Sequence, residues 1–176
     1  MNDPKVLNLW AEGKTDGVFQ FESPGMKQFM KELKPDSLED LIAGVSLYRP
    51  GPMDQIPRYI KNKLNPDHIE YTHPALAPIL KVTYGCMVYQ EQVMQIVRDL
   101  AGYSLGRADL VRRAMGKKKL DVMAKEREIF INGQVDENGN VEVPGCVRNG
   151  IDSQSADKIF DEMSEFAKYA IKLLTK

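Results

Sequence analysis

Proline positions, together with the apolar spacing between them, constrain the fold of this chain most strongly. Proline lacks a backbone N–H, so it can begin a helix but cannot continue the hydrogen-bond pattern of a helix interior. Ser23 and Pro24 therefore predict a helix start, with Ser23 as N-cap. The "RPGP" segment at 49–52 predicts a helix end. Further prolines divide residues 53–83 into short helical pieces: Pro57, Pro66, Pro74 and Pro78.

Apolar residues recur at helical spacing over most of the remaining chain. A capping-box pattern at Ser37 and Asp40 begins one of these helices, and Gly102 and Gly116 end two others. Asn138-Gly139 lies between short alternating stretches, which predicts a β-hairpin. The fold is predicted to be mainly α, irregular in its helical arrangement, with one small hairpin. The predicted helical segments are 23–33, 37–48, 91–102, 104–116, 120–135 and 153–174.

Several function classes find no support in the sequence. No apolar run approaches the roughly 18 residues of a membrane span, and the first residues show no signal-peptide pattern. Cys86 and Cys146 lie 60 residues apart without a CxxC pair, which favours idle thiols in a reducing cytoplasm over zinc or a disulfide. His68 and His73 have no cluster of ligand residues beside them, so no metal site is predicted. Common phosphate-loop and hydrolase motifs are also missing.

Positive charge is concentrated in one segment of a chain whose formal net charge is only -1. Residues 101–119 hold six cations and one acid, Asp109. Arg112 and Arg113 are adjacent, and two guanidiniums offer multi-donor forks to one polyanion. The opposite side of the helix is predicted to face a core through Leu105, Ala108, Leu110, Val111 and Ala114. The alternative is a solvated basic face at a helix C-terminus, where the helix dipole favours cations.

Two further motifs leave alternatives open. "DGVFQFES" has an apolar block of Val18, Phe19 and Phe21, which is typical of a buried strand or a turn packed into the core. "TYGCMVYQEQV" places Tyr84 and Tyr89 in a turn-rich lead into a helix. Those aromatic rings could stack on a nucleic-acid base, or they could belong to the core.

Six motifs together resemble one family. In order they are "TDGVFQFESPGMK", "LKPDSLEDLIAGVSLYRPGPMD", "YIKNK", "TYGCMVYQEQVMQI", "LAGYSLGRADLVRRAMGKKK" and "IFDEMSEFAKYA". This series closely resembles the alpha subunit of bacterial DNA polymerase III, the C-family replicative DNA polymerase. The resemblance runs from about residue 3 to residue 170, which is nearly the whole chain.

The resemblance implies a fingers region, which closes over the incoming deoxynucleoside triphosphate (dNTP). Residues 1–22 would be the end of the palm and the linker, and residues 23–176 a fingers domain truncated at its C-terminus. Arg112, Arg113, Lys117 and Lys118 would bind the triphosphate. The remaining candidates would contact DNA or the nascent base pair: Arg107, Lys119 and Tyr169. Neutralising phosphate charge in this way fits phosphoryl transfer, which depends mainly on positioning and electrostatics.

The resemblance also implies what this chain would not do. The palm aspartates that hold Mg²⁺ in the intact polymerase would precede it, so no catalytic or metal-binding residue is predicted here, and the segment alone is expected to be inactive. The expected partners are dNTP, primer–template DNA, and the rest of the alpha subunit and replisome in the bacterial cytoplasm, with no membrane. The alternative hypothesis is a free-standing helical module that binds nucleic acid or a partner protein without enzymatic activity.

Overall fold

The chain divides into two compact units, Met1–His68 and Ile69–Lys176. The computed structural model describes residues 3–49, 52–116 and 120–170, and these ranges are mainly helical with one small antiparallel sheet. The predicted fold class is therefore confirmed. No helix within these ranges is long and apolar enough to cross a membrane. The predicted division between residues 22 and 23 concerns the roles of the two segments and stays a prediction.

Three of the four helices described in the N-terminal unit begin at a side-chain N-cap, which is Asp3, Ser23 or Ser37. Ser23 Oγ accepts from the Met26 N–H at 3.2 Å, and Ser37 Oγ accepts from the Asp40 N–H at 3.2 Å, so both predicted N-caps are confirmed. The first helix was not predicted, although Asp3 caps it and Pro4 begins it. The helices of this unit are α1 (Pro4–Ala11), α2 (Pro24–Leu33), α3 (Leu38–Leu47) and α4 (Ile56–Leu64), with 3₁₀ turns at Pro52–Gln55 and Pro66–His68.

The C-terminal unit packs its helices around one apolar core. Ile96, Phe130, Ile159 and Met163 are completely buried there, and the rings of Phe130 and Phe160 lie 5.6 Å apart between centroids. The elements of this unit are 3₁₀ turns at Pro74–Leu76 and Lys81–Thr83, α5 (Ala77–Leu80), α6 (Gln90–Ala101), α7 (Leu105–Gly116), α8 (Leu120–Asn132), β1 (Gln134–Val135), β2 (Val141–Val143) and α9 (Ser153–Ala170).

The hairpin predicted from Asn138-Gly139 is present between β1 and β2. Gln134 pairs with Val143 and Val135 with Val141 in antiparallel register. The loop is longer than a two-residue turn because the Asp136 side chain accepts hydrogen bonds from the Asn138 and Asn140 N–H groups. Gly139 has φ +82°, the left-handed conformation that the Asn-Gly signal implies.

Two predictions of burial were wrong in part. Phe21 is buried against Trp10, with ring centroids 5.9 Å apart, but Phe19 is 84% exposed, and residues 19–21 form a turn rather than a strand. On α7, Ala108 and Val111 face the core, whereas Leu105 and Leu110 are exposed. Helical spacing identifies the apolar face of a helix but does not show how much of that face is buried. On α7 only a narrow part of the apolar face is buried in the core.

A buried ion pair joins α3 and α4 in the N-terminal unit. The Asp40 carboxylate is almost completely buried, and its Oδ2 lies 2.7 Å from the Lys63 Nζ. The same oxygen accepts from the Asp36 N–H at 3.1 Å. Burial opposes ionisation of Asp40, but the hydrogen bonds from Lys63 and from the Asp36 backbone outweigh it, so the pKa of Asp40 lies below its usual value.

This pair predicts an acid-sensitive N-terminal unit. Because the folded pKa of Asp40 is depressed, the unfolded state binds more protons as the pH falls, and stability is lost below about pH 5. At neutral pH, Asp40→Asn leaves Lys63 with a weaker partner, and we expect a loss toward the lower end of about 3–5 kcal/mol. Trp10, the only tryptophan in the chain, reports urea unfolding of this unit by fluorescence.

The control for Asp40→Asn is Asp54→Asn, which changes an exposed carboxylate in the same unit. We expect Asp40→Asn to flatten the decline of stability between about pH 5 and pH 3, while Asp54→Asn keeps the slope of the unaltered chain. An Asp40→Asn variant that retains the full slope would show that another group carries the acid sensitivity.

Two glycines allow the backbone to cross itself at close range in the C-terminal unit. Gly133 and Gly145 both have positive φ, +86° and +82°. A Cβ atom on Gly145 would lie 2.3 Å from the Gly133 nitrogen, which real Cβ atoms do not approach. The crossing positions the Cys146 N–H to donate to the Phe130 carbonyl at 2.8 Å, so it joins the end of α8 to the segment after β2.

Gly145→Ala should therefore destabilise the C-terminal unit much more than Gly139→Ala. Both glycines have φ +82°, but a Cβ on Gly139 meets no atom within 4 Å. Gly139→Ala should cost about 1–2 kcal/mol for the left-handed backbone alone. Gly145→Ala should cost a further 1–3 kcal/mol or more, since backbone atoms must move. Thermal unfolding followed by circular dichroism measures both, and equal losses would contradict the close crossing.

Candidate functional site

The basic helix α7 follows α6 through a short turn that both helices stabilise. Gly102 ends α6 in the left-handed conformation, with its N–H donating to the Arg98 carbonyl at 2.9 Å. Ser104 Oγ accepts from the Arg107 N–H at 3.3 Å, so Ser104 caps α7 at the start of the predicted helical segment 104–116. Ala108 and Val111 then bury one side of α7 in the core, so Asp109, Arg112 and Arg113 occupy its more exposed sides.

Asp109 contacts both neighbouring arginines. Its Oδ1 accepts from the Arg112 Nε at 3.0 Å and from the Arg112 Nη2 at 2.7 Å. Its Oδ2 lies 2.7 Å from the Arg113 Nε. The hydrogen bonds from Arg112, followed by those from Arg113, hold the pKa of the Asp109 carboxylate below its usual value, so it is ionised at neutral pH. One carboxylate therefore holds two guanidiniums side by side.

Arg112 has a second anchor on the preceding helix. Its Nη1 donates to the Oε1 of Gln90 at 2.6 Å, across a sequence separation of 22 residues. Gln90 is the first residue of α6. Arg112 is about one-third exposed, whereas the Arg113 side chain is 64% exposed and its described ion pair is with Asp109 alone. The two arginines are thus unequal, one fixed between two helices and the other largely in solvent.

Gln90 is held in place by a buried polar network immediately beside it. The Gln92 Oε1 accepts from the backbone N–H groups of Val88 and Tyr89 at 2.8 and 3.0 Å. Its Nε2 donates to the Thr83 Oγ1 at 2.7 Å, and that hydroxyl donates to the Cys86 carbonyl at 2.7 Å. Gln92 and Thr83 are both buried. These bonds fix the "TYGCMVYQ" segment and hence the start of α6.

Arg107 lies in a different environment from Arg112 and Arg113. Its Nη2 is 2.8 Å from the Gln134 Oε1 and 3.3 Å from the Glu126 Oε1, and its guanidinium carbon lies 5.3 Å from the centre of the Tyr103 ring. The Tyr103 hydroxyl donates to Glu126 at 3.0 Å, and burial, followed by the Glu126 charge, raises the pKa of Tyr103. Arg107 therefore connects α7 to α8 and β1, and its assignment to DNA binding stays a prediction.

The other predicted site residues cannot be placed beside these. Lys117, Lys118 and Lys119 lie outside the described residues, and so does the side chain of Tyr169. Tyr84 and Tyr89, which could stack on a base, are each half-buried. Within the described ranges no three His, Cys, Asp or Glu residues are grouped so that they could hold a metal ion.

Sequence reasoning missed three residues that shape this site. Asp109 was readable, because an acid three and four residues before a pair of arginines lies on the same helix face. Gln90 carried no such signal, since its contact with Arg112 depends on how α6 and α7 pack. Gln92 was hidden for a similar reason, because a polar residue on a predicted core face gives no sign of its buried partner.

A family model and individual relatives both match this chain to the alpha subunit of bacterial DNA polymerase III. The family model for the bacterial DNA polymerase III alpha subunit finger domain matches residues 1–138. DNA polymerase III subunit alpha of Chlamydia muridarum is 51% identical over 172 residues, and that of Halalkalibacterium halodurans is 46% identical over 169 residues. Each alignment covers 96% of this chain. The chain spans only 13% and 14% of the length of those two relatives, respectively.

Alanine substitutions should separate the structural arginine from the exposed one. Arg107→Ala removes the cation beside Glu126, a side chain only 15% exposed, and we expect a loss of about 1.5–3 kcal/mol in the free energy of unfolding. Arg113→Ala changes a largely exposed side chain and should cost about 0.5 kcal/mol or less. Thermal and urea unfolding followed by circular dichroism measure the difference. Equal stability of the two variants would show that Arg107 does not support the helix packing.

Proposed function

Since this chain belongs to the family of bacterial DNA polymerase III alpha subunit finger domains, we propose that it is the part of a template-directed replicative DNA polymerase that binds the triphosphate of the incoming dNTP. The observation that carries the proposal is the pair of guanidiniums on α7, held side by side by Asp109. Arg112 and Arg113 bind the phosphates, and Lys117 and Lys118, which follow them in the sequence, add positive charge. Arg107, Lys119 and Tyr169 are the proposed contacts to DNA or the nascent base pair.

The chemistry of arginine supports this assignment. A guanidinium donates planar, paired hydrogen bonds that match phosphate oxygens, and it stays charged at every physiological pH. Charge-assisted bonds of this kind neutralise a triphosphate and orient it for attack, which is the main contribution a protein makes to phosphoryl transfer. Mg²⁺ in the intact polymerase would be bound by residues outside this chain. We therefore assign this chain to binding and positioning, and no catalytic step to its own carboxylates.

The wider role follows from the relatives. They are named as alpha subunits of DNA polymerase III, so we propose that primer–template DNA and the other replication proteins are partners of the protein that contains this segment, in the bacterial cytoplasm. Binding through phosphate contacts releases counterions, and its affinity falls steeply as the salt concentration rises. A nearly neutral chain with one local cationic cluster should show that dependence through a small number of residues.

The test is substitution of both arginines. Arg112→Ala with Arg113→Ala should weaken dNTP binding by roughly tenfold or more per arginine, because each charge-assisted contact contributes about 1.5–3 kcal/mol. Isothermal titration of the chain with dATP at low and at moderate salt measures the affinity, and circular dichroism checks the fold. The same substitutions in the complete polymerase subunit should raise KM for nucleotides, lower the rate, or both.

The matched control is Arg98→Ala with Arg148→Ala. Both residues are exposed and lie in the same unit, so this variant removes the same charge from another part of the surface. It should retain nearly all of the affinity. Equal losses of dATP affinity in the two double variants would show that only net charge matters. Normal dATP binding by Arg112→Ala with Arg113→Ala would show that the triphosphate binds elsewhere.

A further inference from the structure

The contacts of Arg112 and Arg113 are distributed unevenly over their nitrogen atoms. Asp109 contacts Arg112 along the edge formed by Nε and Nη2, and it contacts Arg113 at Nε. Gln90 accepts one N–H from the Arg112 Nη1. A guanidinium has five N–H donors. On Arg112 the contacts of Nε and Nη2 with Asp109 and of Nη1 with Gln90 use three of them, so one N–H donor remains on each terminal nitrogen. The terminal nitrogens of Arg113 are not used by its ion pair with Asp109.

We infer that Asp109 and Gln90 are positioning residues, which hold Arg112 and Arg113 in a fixed orientation with their terminal N–H groups available to the phosphates of a nucleotide. The inference rests on the proposed function and deepens it. Asp109 acts from the Nε side of both arginines, so it orients them without covering the ends that would contact a phosphate. Gln90 adds a second fixed point for Arg112, and that point belongs to a different helix.

Pre-orientation matters because arginine is long and flexible. A free arginine side chain loses rotamer entropy when a ligand fixes it, and a side chain already held by the protein loses less. Arg112, held through Asp109 and Gln90, should therefore bind as a rigid donor, and Arg113, held through one contact, as a more adaptable donor. The buried bonds of Gln92 to Thr83, Val88 and Tyr89 extend this rigidity to the backbone that carries Gln90.

Asp109→Asn should change the affinity for a phosphate ligand in the opposite direction from that expected from charge alone. Asp109→Asn removes a negative charge next to two arginines, so charge alone predicts tighter binding of an anion. Loss of positioning predicts weaker binding. We expect Asp109→Asn to weaken the binding of sodium tripolyphosphate and of dATP by roughly three- to tenfold. Asp109→Glu keeps a carboxylate that can still pair with the arginines along the helix, and it should restore at least part of the affinity.

Gln90→Ala tests the second anchor without any change in charge. Its control is Gln95→Ala, which truncates the same side chain at an exposed position of α6. We expect Gln90→Ala to weaken tripolyphosphate binding severalfold and Gln95→Ala to leave it unchanged. Circular dichroism melting curves check that both variants fold, and Gln90→Ala keeps the inference testable if Asp109→Asn proves unstable.

Nuclear magnetic resonance can measure how fast the arginine Nε–H groups exchange with water. This rate reports the contact with Asp109 directly, apart from any effect of Asp109 on overall stability. In the unaltered chain the Nε–H signal of Arg112 should exchange slowly with water, because this group donates to the Asp109 Oδ1 at 3.0 Å. It should exchange faster in Asp109→Asn, with the backbone amide signals of α7 retained. Unchanged Nε–H exchange in that variant would contradict the contacts on which the inference depends.

The outcomes distinguish the inference from the proposed function. If the unaltered chain fails to bind tripolyphosphate and dATP, or if Arg112→Ala with Arg113→Ala binds them equally well, the proposed function fails and the inference fails with it. If the arginine variant loses binding while Asp109→Asn binds as tightly as the unaltered chain or tighter, the proposed function stands and the positioning role of Asp109 is overturned. Weaker binding by both Asp109→Asn and Gln90→Ala supports the inference.

Discussion

The geometry of the site depends on the hydrogen bonds made by the buried side chain of Gln92. A glutamine placed on the core side of a helix would be costly if its amide were left without partners. Here its oxygen satisfies two backbone N–H groups ahead of α6, and its nitrogen satisfies the Thr83 hydroxyl. These bonds specify one path for the chain into α6. Gln90 lies two residues before Gln92, so the same bonds determine where Arg112 finds its second partner.

The N-terminal unit and the site use the same pair chemistry in different surroundings. Asp40 and Lys63 are both largely removed from water, and Lys63 also lies 2.9 Å from the more exposed Asp36 carboxylate. Removal of Lys63 would leave the Asp40 charge buried without its cation. Asp109 and its arginines are about one-third exposed or more, so water and salt screen their attraction. The exposed arginines keep terminal N–H groups that can contact a second anion while Asp109 stays paired with them. Exposure, rather than the type of residue, separates a structural ion pair from one suited to a ligand.

Much of the fold could be predicted from sequence because its signals are local. Ser23 and Ser37 cap helices through their own neighbours, and Asn138-Gly139 specifies its own turn. Helix α1 was missed although Asp3 and Pro4 follow the same pattern as Ser23 and Pro24, since its eight residues make only about two turns. Phe19 and Leu110 were placed in the core because hydrophobicity shows that a side chain prefers burial, and not whether the fold offers it a place. The same distinction holds for the site. The role of Asp109 could be predicted from its spacing to the arginines, whereas the role of Gln90 follows only from the packing of α6 against α7.

The uneven charge of this chain has a local explanation. A helix C-terminus attracts cations through its dipole, and neighbouring arginines there repel each other unless an anion lies between them. Asp109 supplies that anion from one turn earlier, at the spacing where it reaches both side chains. The segment Asp109–Arg113 can therefore form its ion pairs wherever it is helical, but only the folded unit adds the contact with Gln90. The charge comes from the local sequence, and the orientation of Arg112 depends also on tertiary structure, through its contact with Gln90.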